Sequence, residues 1–188
     1  RPSMSKILVN ELGNVNGTNA ITVSSGGVVT FSNLPVNVGG PQTALLVDEK
    51  SQNTVGGTFT AGAWQTRTLN KEVSDLNNIC SLSSNIFTLS SGTYLIEWSA
   101  PAYLVERNQT RLYDTTNSAV VQYGSSNYSG STVTLVNSSS GSGIVVISSN
   151  TGYRIEHRAT ATRSSQGFGV EGNLGPEIYT QVKITKLG

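Results

Sequence analysis

The chain predicts an all-β antiparallel jelly-roll sandwich, or a related double sheet, preceded by an extended β stem. Three observations carry that prediction. Val, Ile, Thr and Tyr recur in short runs, several with strict alternation of apolar and polar positions. Gly, Asn and Ser pairs punctuate those runs at short intervals. Helical periodicity is nearly absent. The 188 residues suffice for one compact domain plus an appendage, since domains cluster near ~100–150 residues. Residues 1–40 read as the stem and 41–188 as the head.

Within the stem the units are tiny: Ile7-Leu8-Val9, Val15-Asn16-Gly17-Thr18, Ala20-Ile21-Thr22-Val23 and Gly26-Gly27-Val28-Val29-Thr30-Phe31. No aromatic residue precedes Phe31. Such a segment buries too little apolar surface to offset its own ordering entropy, so it is either disordered or wrapped with other copies. Its β-branched residues favour wrapping in a homo-oligomer. Pro35 and Gly39-Gly40-Pro41 mark the boundary to the head.

In the head, Thr43 to Glu49 and Gly57 to Leu69 predict two or three strands. Asn70 to Leu76 is the one helical candidate, short enough to be a loop or a single turn. Thr93 to Ala100 is the clearest strand, with Tyr94, Ile96 and Trp98 on one face. After Pro101, Arg107 to Asp114 reads as a polar strand. Ala119 to Tyr123, Thr132 to Val136 and Gly143 to Ile147 are short strands. Tyr153 to Ala159 places Tyr153, Ile155, His157 and Ala159 on one side, and Glu177 to Lys186 does the same for Ile178, Val182 and Ile184. Eight or more short strands joined by turns make a double sheet.

Charge excludes several function classes. Only 12% of residues are charged, 12 Lys and Arg against 11 Asp and Glu. Neutralising several phosphates takes a clustered basic excess, so no nucleic-acid partner is expected. The longest apolar runs, Ala44 to Val47 and Ile144 to Ile147, fall far short of the ~20 residues of a membrane-spanning helix, so no membrane insertion is expected. The single cysteine, Cys80, cannot form an intrachain disulfide and reads as a small buried hydrophobe. The single histidine, His157, has no ligand-spaced companions, and neither a metal nor a cofactor is expected. With Arg1 first, Met4 internal and no signal-like segment, the chain reads as a piece of a longer one or a processed product.

Catalytic constellations are missing from the sequence. No Gly-x-Ser-x-Gly elbow joins a strand to a helix, and Glu156 and His157, as strand neighbours, point to opposite faces. Glu97, Glu106, Asp114 and Glu156 find cross-strand partners in Arg107, Arg111, Arg154 and Arg158, which makes them structural ion pairs rather than a glycosidase pair. Gly167-Phe168-Gly169 and Gly172-Asn173-Leu174-Gly175 lack the helix N-terminus that an anion cradle needs. The Asn-x-Ser/Thr patterns at Asn16, Asn108, Asn127 and Asn137 are no more than a chain this rich in Ser and Thr produces by chance. Tyr123, Tyr128 and Phe168 sit in or beside Gly/Ser/Asn-rich segments, a mixture suited to recognition. The plainer alternative is that each plugs the sandwich end or a subunit interface. With Arg163 they form the candidate receptor-binding set.

The stretches Trp64 to Asn70, Phe87-Thr88-Leu89, Gly92 to Ala102, Gln109 to Asp114, Tyr153 to His157 and Gly175 to Ile184 resemble a known family. They are similar to the C1q/tumour-necrosis-factor-like jelly-roll domains at the tips of bacteriophage fibres, over roughly residues 57–187. The resemblance implies a homotrimer with an interwoven stem, carried on the virion and joined to other virion structural proteins through its N-terminal side. It implies recognition of a host-surface glycan or protein during adsorption, without catalysis. It supplies no catalytic or metal-binding positions. A capsid-surface head fibre or decoration protein is the second reading; a glycan depolymerase and a secreted C1q-like module rank below it.

Overall fold

The computed structural model describes residues 11–13, 19–23, 25–27, 29–31, 42–130, 132 and 136–187. Contacts divide the chain into two units, Arg1–Gly40 and Pro41–Gly188. In the first, β1 (Glu11–Gly13), β2 (Asn19–Val23) and β3 (Val29–Phe31) form an antiparallel sheet in the order β1-β2-β3. The expected strands at Ile7 to Val9 and Val15 to Thr18 lie outside the described residues.

The second unit holds β4 (Gln42–Lys50), β5 (Gln65–Thr66), β6 (Lys71–Asp75), β7 (Cys80–Ser83), β8 (Ile86–Leu89), β9 (Gly92–Tyr103), β10 (Arg107–Asp114), β11 (Ala119–Tyr128), β12 (Val136–Ile147), β13 (Thr151–Ala159) and β14 (Glu177–Lys186). They build two antiparallel sheets, ordered β12-β9-β14-β4-β6 and β11-β10-β13-β8-β7, with β5 added onto β13. From β8 onward the chain crosses between sheets at almost every connection, which is the jelly-roll arrangement. No described residue is helical.

Alternation places the core. Tyr94, Ile96 and Trp98 of β9 meet Leu112 of β10 and Tyr153 and Ile155 of β13, with Ala44, Leu46, Val182 and Ile184 beside them. A smaller cluster of Phe59, Ala102, Val105 and Ala159 fills one end, with Phe168 packed against it. His157 is fully buried, its Nε2 3.0 Å from Asn108 Oδ1 and its ring edge-on to Phe59, as a packed sheet residue should be.

Three local expectations change, and one hairpin is added. Asn70 to Leu76 contains an edge strand, β6, rather than a helical turn: β4 pairs with it, and the Asn70 amide donates to Glu49 O while its oxygen accepts from Glu49 N. Cys80 to Leu89 forms a hairpin that alternation alone did not announce. Its two-residue turn is Ser84-Asn85, both at positive φ as a type I′ turn requires. In β14 a register shift between Ile178 and Gln181 turns Ile178 outward and puts Tyr179 inside, so Ile178 does not share the face of Val182 and Ile184. Finally, Gly57 to Leu69 yields only the short β5 and one bridge, Phe59 to Arg163.

The short strand expected at Thr132 to Val136 lies mostly outside the described residues. Beyond it the chain forms one long strand: β12 runs from Val136 through the Ser/Gly stretch to Ile147, paired with β9 along its whole length. Small residues there serve the core. Gly141 lies opposite Trp98, and a Cβ on Gly141 would stand inside the indole ring. Gly141→Val should therefore destabilise the head by about 1–3 kcal/mol through overpacking. Gly175→Ala, with open space around the added Cβ, should stay within about 0.5 kcal/mol. Urea unfolding of the two variants checks the contrast.

Candidate functional site

Alternation along β10 and β13 turns Asn108, Thr110, Leu112 and Asp114 inward on one strand and Tyr153, Ile155, His157 and Ala159 inward on the other. The opposite positions face out: Arg107, Gln109, Arg111 and Tyr113 on β10, and Arg154, Glu156 and Arg158 on β13. The register sets Arg158 across from Gln109, Glu156 from Arg111 and Arg154 from Tyr113. On the other flank, β11 lays Tyr123 across from Arg111, Ser126 from Gln109 and Tyr128 from Arg107.

Glu156 organises this face. Its Oε2 accepts from Arg111 Nε at 2.6 Å and its Oε1 from Arg154 Nε at 2.8 Å. The two guanidinium groups sharing this one carboxylate also lie over aromatic rings. Arg111 lies 4.2 Å from the Trp64 centroid and 4.9 Å from Tyr113, and Arg154 lies 5.0 Å from Tyr113. Trp64 also reaches Tyr123, with centroids 6.0 Å apart. Beside this stack a recess of about 390 Å³ opens, lined by Trp64, Arg107, Gln109, Asn127 and Arg158 among others.

The four candidate binding residues divide into two pairs. Tyr123 and Tyr128 lie on β11 itself, each 49% exposed. Phe168 is not an exposed loop aromatic. It packs on Phe59 with centroids 4.5 Å apart, and the buried Arg67 guanidinium lies 4.2 Å from its ring. Arg163 exchanges both backbone hydrogen bonds with Phe59 and rests 5.5 Å from the Tyr103 ring. Both side chains are half-buried there. The expected ion pairs also need correction: Arg111 and Arg154 share Glu156, whereas Arg107 and Arg158 make no ion pair among the described residues. Asp114 takes none either, because its carboxylate caps the turn at Thr116 and Asn117. Trp64, Gln109 and Asn127 escaped sequence reading. The alternating Arg-x-Gln-x-Arg-x-Tyr of β10 against Arg-x-Glu-x-Arg of β13 was the signal that could have found this face.

The Gly172–Gly175 loop does cradle an anion, but an internal one. Gly172 N, Asn173 N and Asn53 N all donate to the Glu177 carboxylate, at 2.8, 2.9 and 3.1 Å. The Gly172 amide first, then the others, hold that carboxyl below its usual range. His157 behaves oppositely to an exposed histidine: burial, then the nearby Arg67 charge, holds its pKa well below the ordinary value. Arg67 itself is fully buried, donating from Nε to Thr180 Oγ1 and from Nη2 to Phe168 O, and burial pulls its pKa down to about 9. Among the described residues one group has the atom types of a metal site: Glu72, Asp75 and Cys80, with ligand atoms within 4.8 Å. The Asp75 oxygens already accept from Ile79 N and Cys80 N. Cys80 is half-buried rather than fully buried, and burial together with Asp75 pushes its thiol up to about 12.

No family model matches the chain, and no curated protein matches it in sequence. Solved structures do match in fold. The globular domain of zebrafish complement 1qA superposes with a TM-score of 0.51 at 15% identity, covering 78% of this chain and 98% of that one. The TNF Eiger from S. frugiperda gives 0.54 at 12% identity, covering 79% and 93%. Murine APRIL at pH 5.0 gives 0.53 at 11%, covering 79% and 100%. The head is thus a C1q/TNF-like jelly roll.

These buried and cradled groups set three measurable outcomes. Cys80 should resist a disulfide-exchange reagent in the native state at pH 8 and react freely in urea. A depressed histidine contributes stability that is lost as pH falls below its unfolded value of about 6.5. Wild type should therefore weaken between pH 7 and 5 by at most about 1.4 kcal/mol per pH unit, and His157→Gln should flatten that slope in urea titrations. Glu177, also depressed, contributes above about pH 4.3. Glu177→Gln should lower the melting temperature at pH 7, and its gap from wild type should close as pH falls through the carboxyl range.

Proposed function

We propose that this chain is the homotrimeric tip of a bacteriophage fibre, which recognises a host cell-surface receptor, most simply a glycan, during adsorption and does not alter it. The observation that carries this reading is the outward face of β10, β11 and β13, where Trp64, Tyr113 and Tyr123 are arrayed among arginine, amide and hydroxyl groups. Rings supply rigid contact area for sugars, while amides and hydroxyls supply adaptable hydrogen bonds. Tyr128 extends the same strand. The C1q/TNF-like fold is compatible with such a receptor-binding domain.

Association of copies has its own support on the other sheet. Ile144 and Val146 point outward from β12 at 64% and 81% exposure, and Leu95 lies across from Ile144. Apolar side chains grouped on one sheet face favour contact with another copy. Three copies would multiply weak single-site contacts into durable attachment. A catalytic alternative is disfavoured because Glu156, Asp114, Asp75 and Glu177 all spend their oxygens on structural donors.

Sedimentation should give three times the 19.8 kDa chain mass. Labelled protein should bind host cells, and the double variant Tyr123→Ala/Tyr128→Ala should bind them at least about tenfold more weakly while remaining trimeric. A monomer in sedimentation, or cell binding indifferent both to that variant and to periodate oxidation of surface glycans, would overturn the reading. Antibody labelling along the capsid shell instead of at a fibre end would favour the decoration protein.

A further inference from the structure

We propose that the recess beside Trp64 binds a carboxylate-bearing sugar, with Arg107 and Arg158 holding the carboxylate and Trp64 lying against the sugar ring. This rests on the receptor-binding reading and deepens it by naming the ligand class.

Charge is the first argument. The outward positions of β10 and β13 hold four arginines against one carboxylate, Glu156, in a chain that is otherwise balanced. Both Glu156 oxygens are committed to Arg111 and Arg154. Among the described residues Arg107 and Arg158 are left exposed and uncompensated, and both line the recess. Their placement brings them together: Arg158 lies across from Gln109, and Arg107, two residues earlier on the same face, hydrogen-bonds from its N–H to Thr160 Oγ1 at 3.1 Å. Diagonal neighbours of this kind stand roughly 7 Å apart at Cβ, a spacing from which two long guanidinium arms converge on one anion. The planar guanidinium fork suits a planar carboxylate.

The remaining lining argues for a sugar rather than a bare anion. Gln109 spends its amide N–H on Gly124 O, and Asn127 donates to Ser125 Oγ and Ser138 O. Their amide oxygens have no partner among the described residues and can accept from the several hydroxyl groups of a sugar, which a fully ionised anion such as sulfate does not offer. Trp64 contributes apolar ring surface, with Arg111 stacked on it. The volume of about 390 Å³ falls inside the ~300–1,000 Å³ common for small-ligand sites.

Fluorescence titration of the whole chain tests this, because Trp64 is half-exposed beside the recess while Trp98 is buried in the core. The probes are tetragalacturonate, a glucuronate-containing hyaluronan tetrasaccharide and sialyllactose. Their controls are methyl-esterified tetragalacturonate, lactose and glucose 6-phosphate. At least one acidic probe should bind about tenfold more tightly than the uncharged controls, and Arg107→Gln and Arg158→Gln should each weaken it about tenfold. Equal binding of acidic and neutral sugars, or unchanged affinity in both variants, would overturn the proposal. Glucose 6-phosphate binding as tightly as the best acidic probe would overturn the carboxylate assignment. Cell attachment that persists in both arginine variants would remove this pocket but leave the receptor reading standing. Acidic-sugar binding by a protein that never attaches to cells would do the reverse.

Discussion

The head is organised around one buried indole. Trp98 of β9 donates from Nε1 to Thr110 Oγ1 at 2.8 Å, and the Thr110 hydroxyl lies 2.8 Å from Ser139 Oγ, which donates to Ser125 O at 2.7 Å. The protons run one way along this chain, from indole to threonine to serine to a backbone carbonyl. Thr110 and Ser125 belong to one sheet, Trp98 and Ser139 to the other, so the hydrogen bonds tie the two layers together. Trp98, Thr110 and Ser139 are all buried, and a partly satisfied version of such a network would be costlier than none. Its neighbours must be small. A side chain at Gly141 would enter the Trp98 ring, and one at Gly124 would collide with the Thr110 hydroxyl.

That constraint accounts for much of the unusual composition. The Ser/Gly stretch of β12 is what lets a strand pass over a tryptophan. The same polar residues close the open side of the sandwich, where β11 and β12 are the outermost strands of their sheets. Asn127 donates to Ser138 O at 2.7 Å, Asn137 to Tyr128 O at 2.7 Å, and Ser140 N to Ser125 Oγ at 3.0 Å. Unpaired strand edges invite aggregation. Here short amide and hydroxyl side chains of one edge occupy the backbone of the other, so few charges are needed to guard it.

The link between the sheets and the open edges use uncharged polar groups, and charge gathers elsewhere. The outward face of β10 and β13 receives four of the 12 basic residues. Single strands showed the alternation of this face, and Glu156 was legible as an ion-pair partner. Its division of labour was not legible. One carboxylate with two oxygens pairs with two arginines: the register sets Arg111 across from it, and Arg154 reaches it from two positions earlier on the same strand. Trp64 joins them because β5, two residues long, docks on β13 at Glu156 and His157, a pairing between segments about ninety residues apart. The cover over Phe168 was hidden for a related reason: a Gly-flanked aromatic in a loop looks exposed until Phe59, over a hundred residues upstream, is seen to pack on it.

The sequence by itself determined the class of fold and the inside of its best strands. Period-two alternation put Tyr94, Ile96 and Trp98, and likewise Tyr153, Ile155, His157 and Ala159, on buried faces, because the strand geometry alone requires it. With a single cysteine, it also excluded an intrachain disulfide by count. The tertiary structure decided what alternation cannot carry. It made Asn70 to Leu76 an edge strand through pairing with β4, turned Ile178 outward through a bulge, and ran β12 unbroken through glycines and serines. In each case the deciding term is a backbone partner or a ring supplied from far along the chain, and no local propensity contains that information.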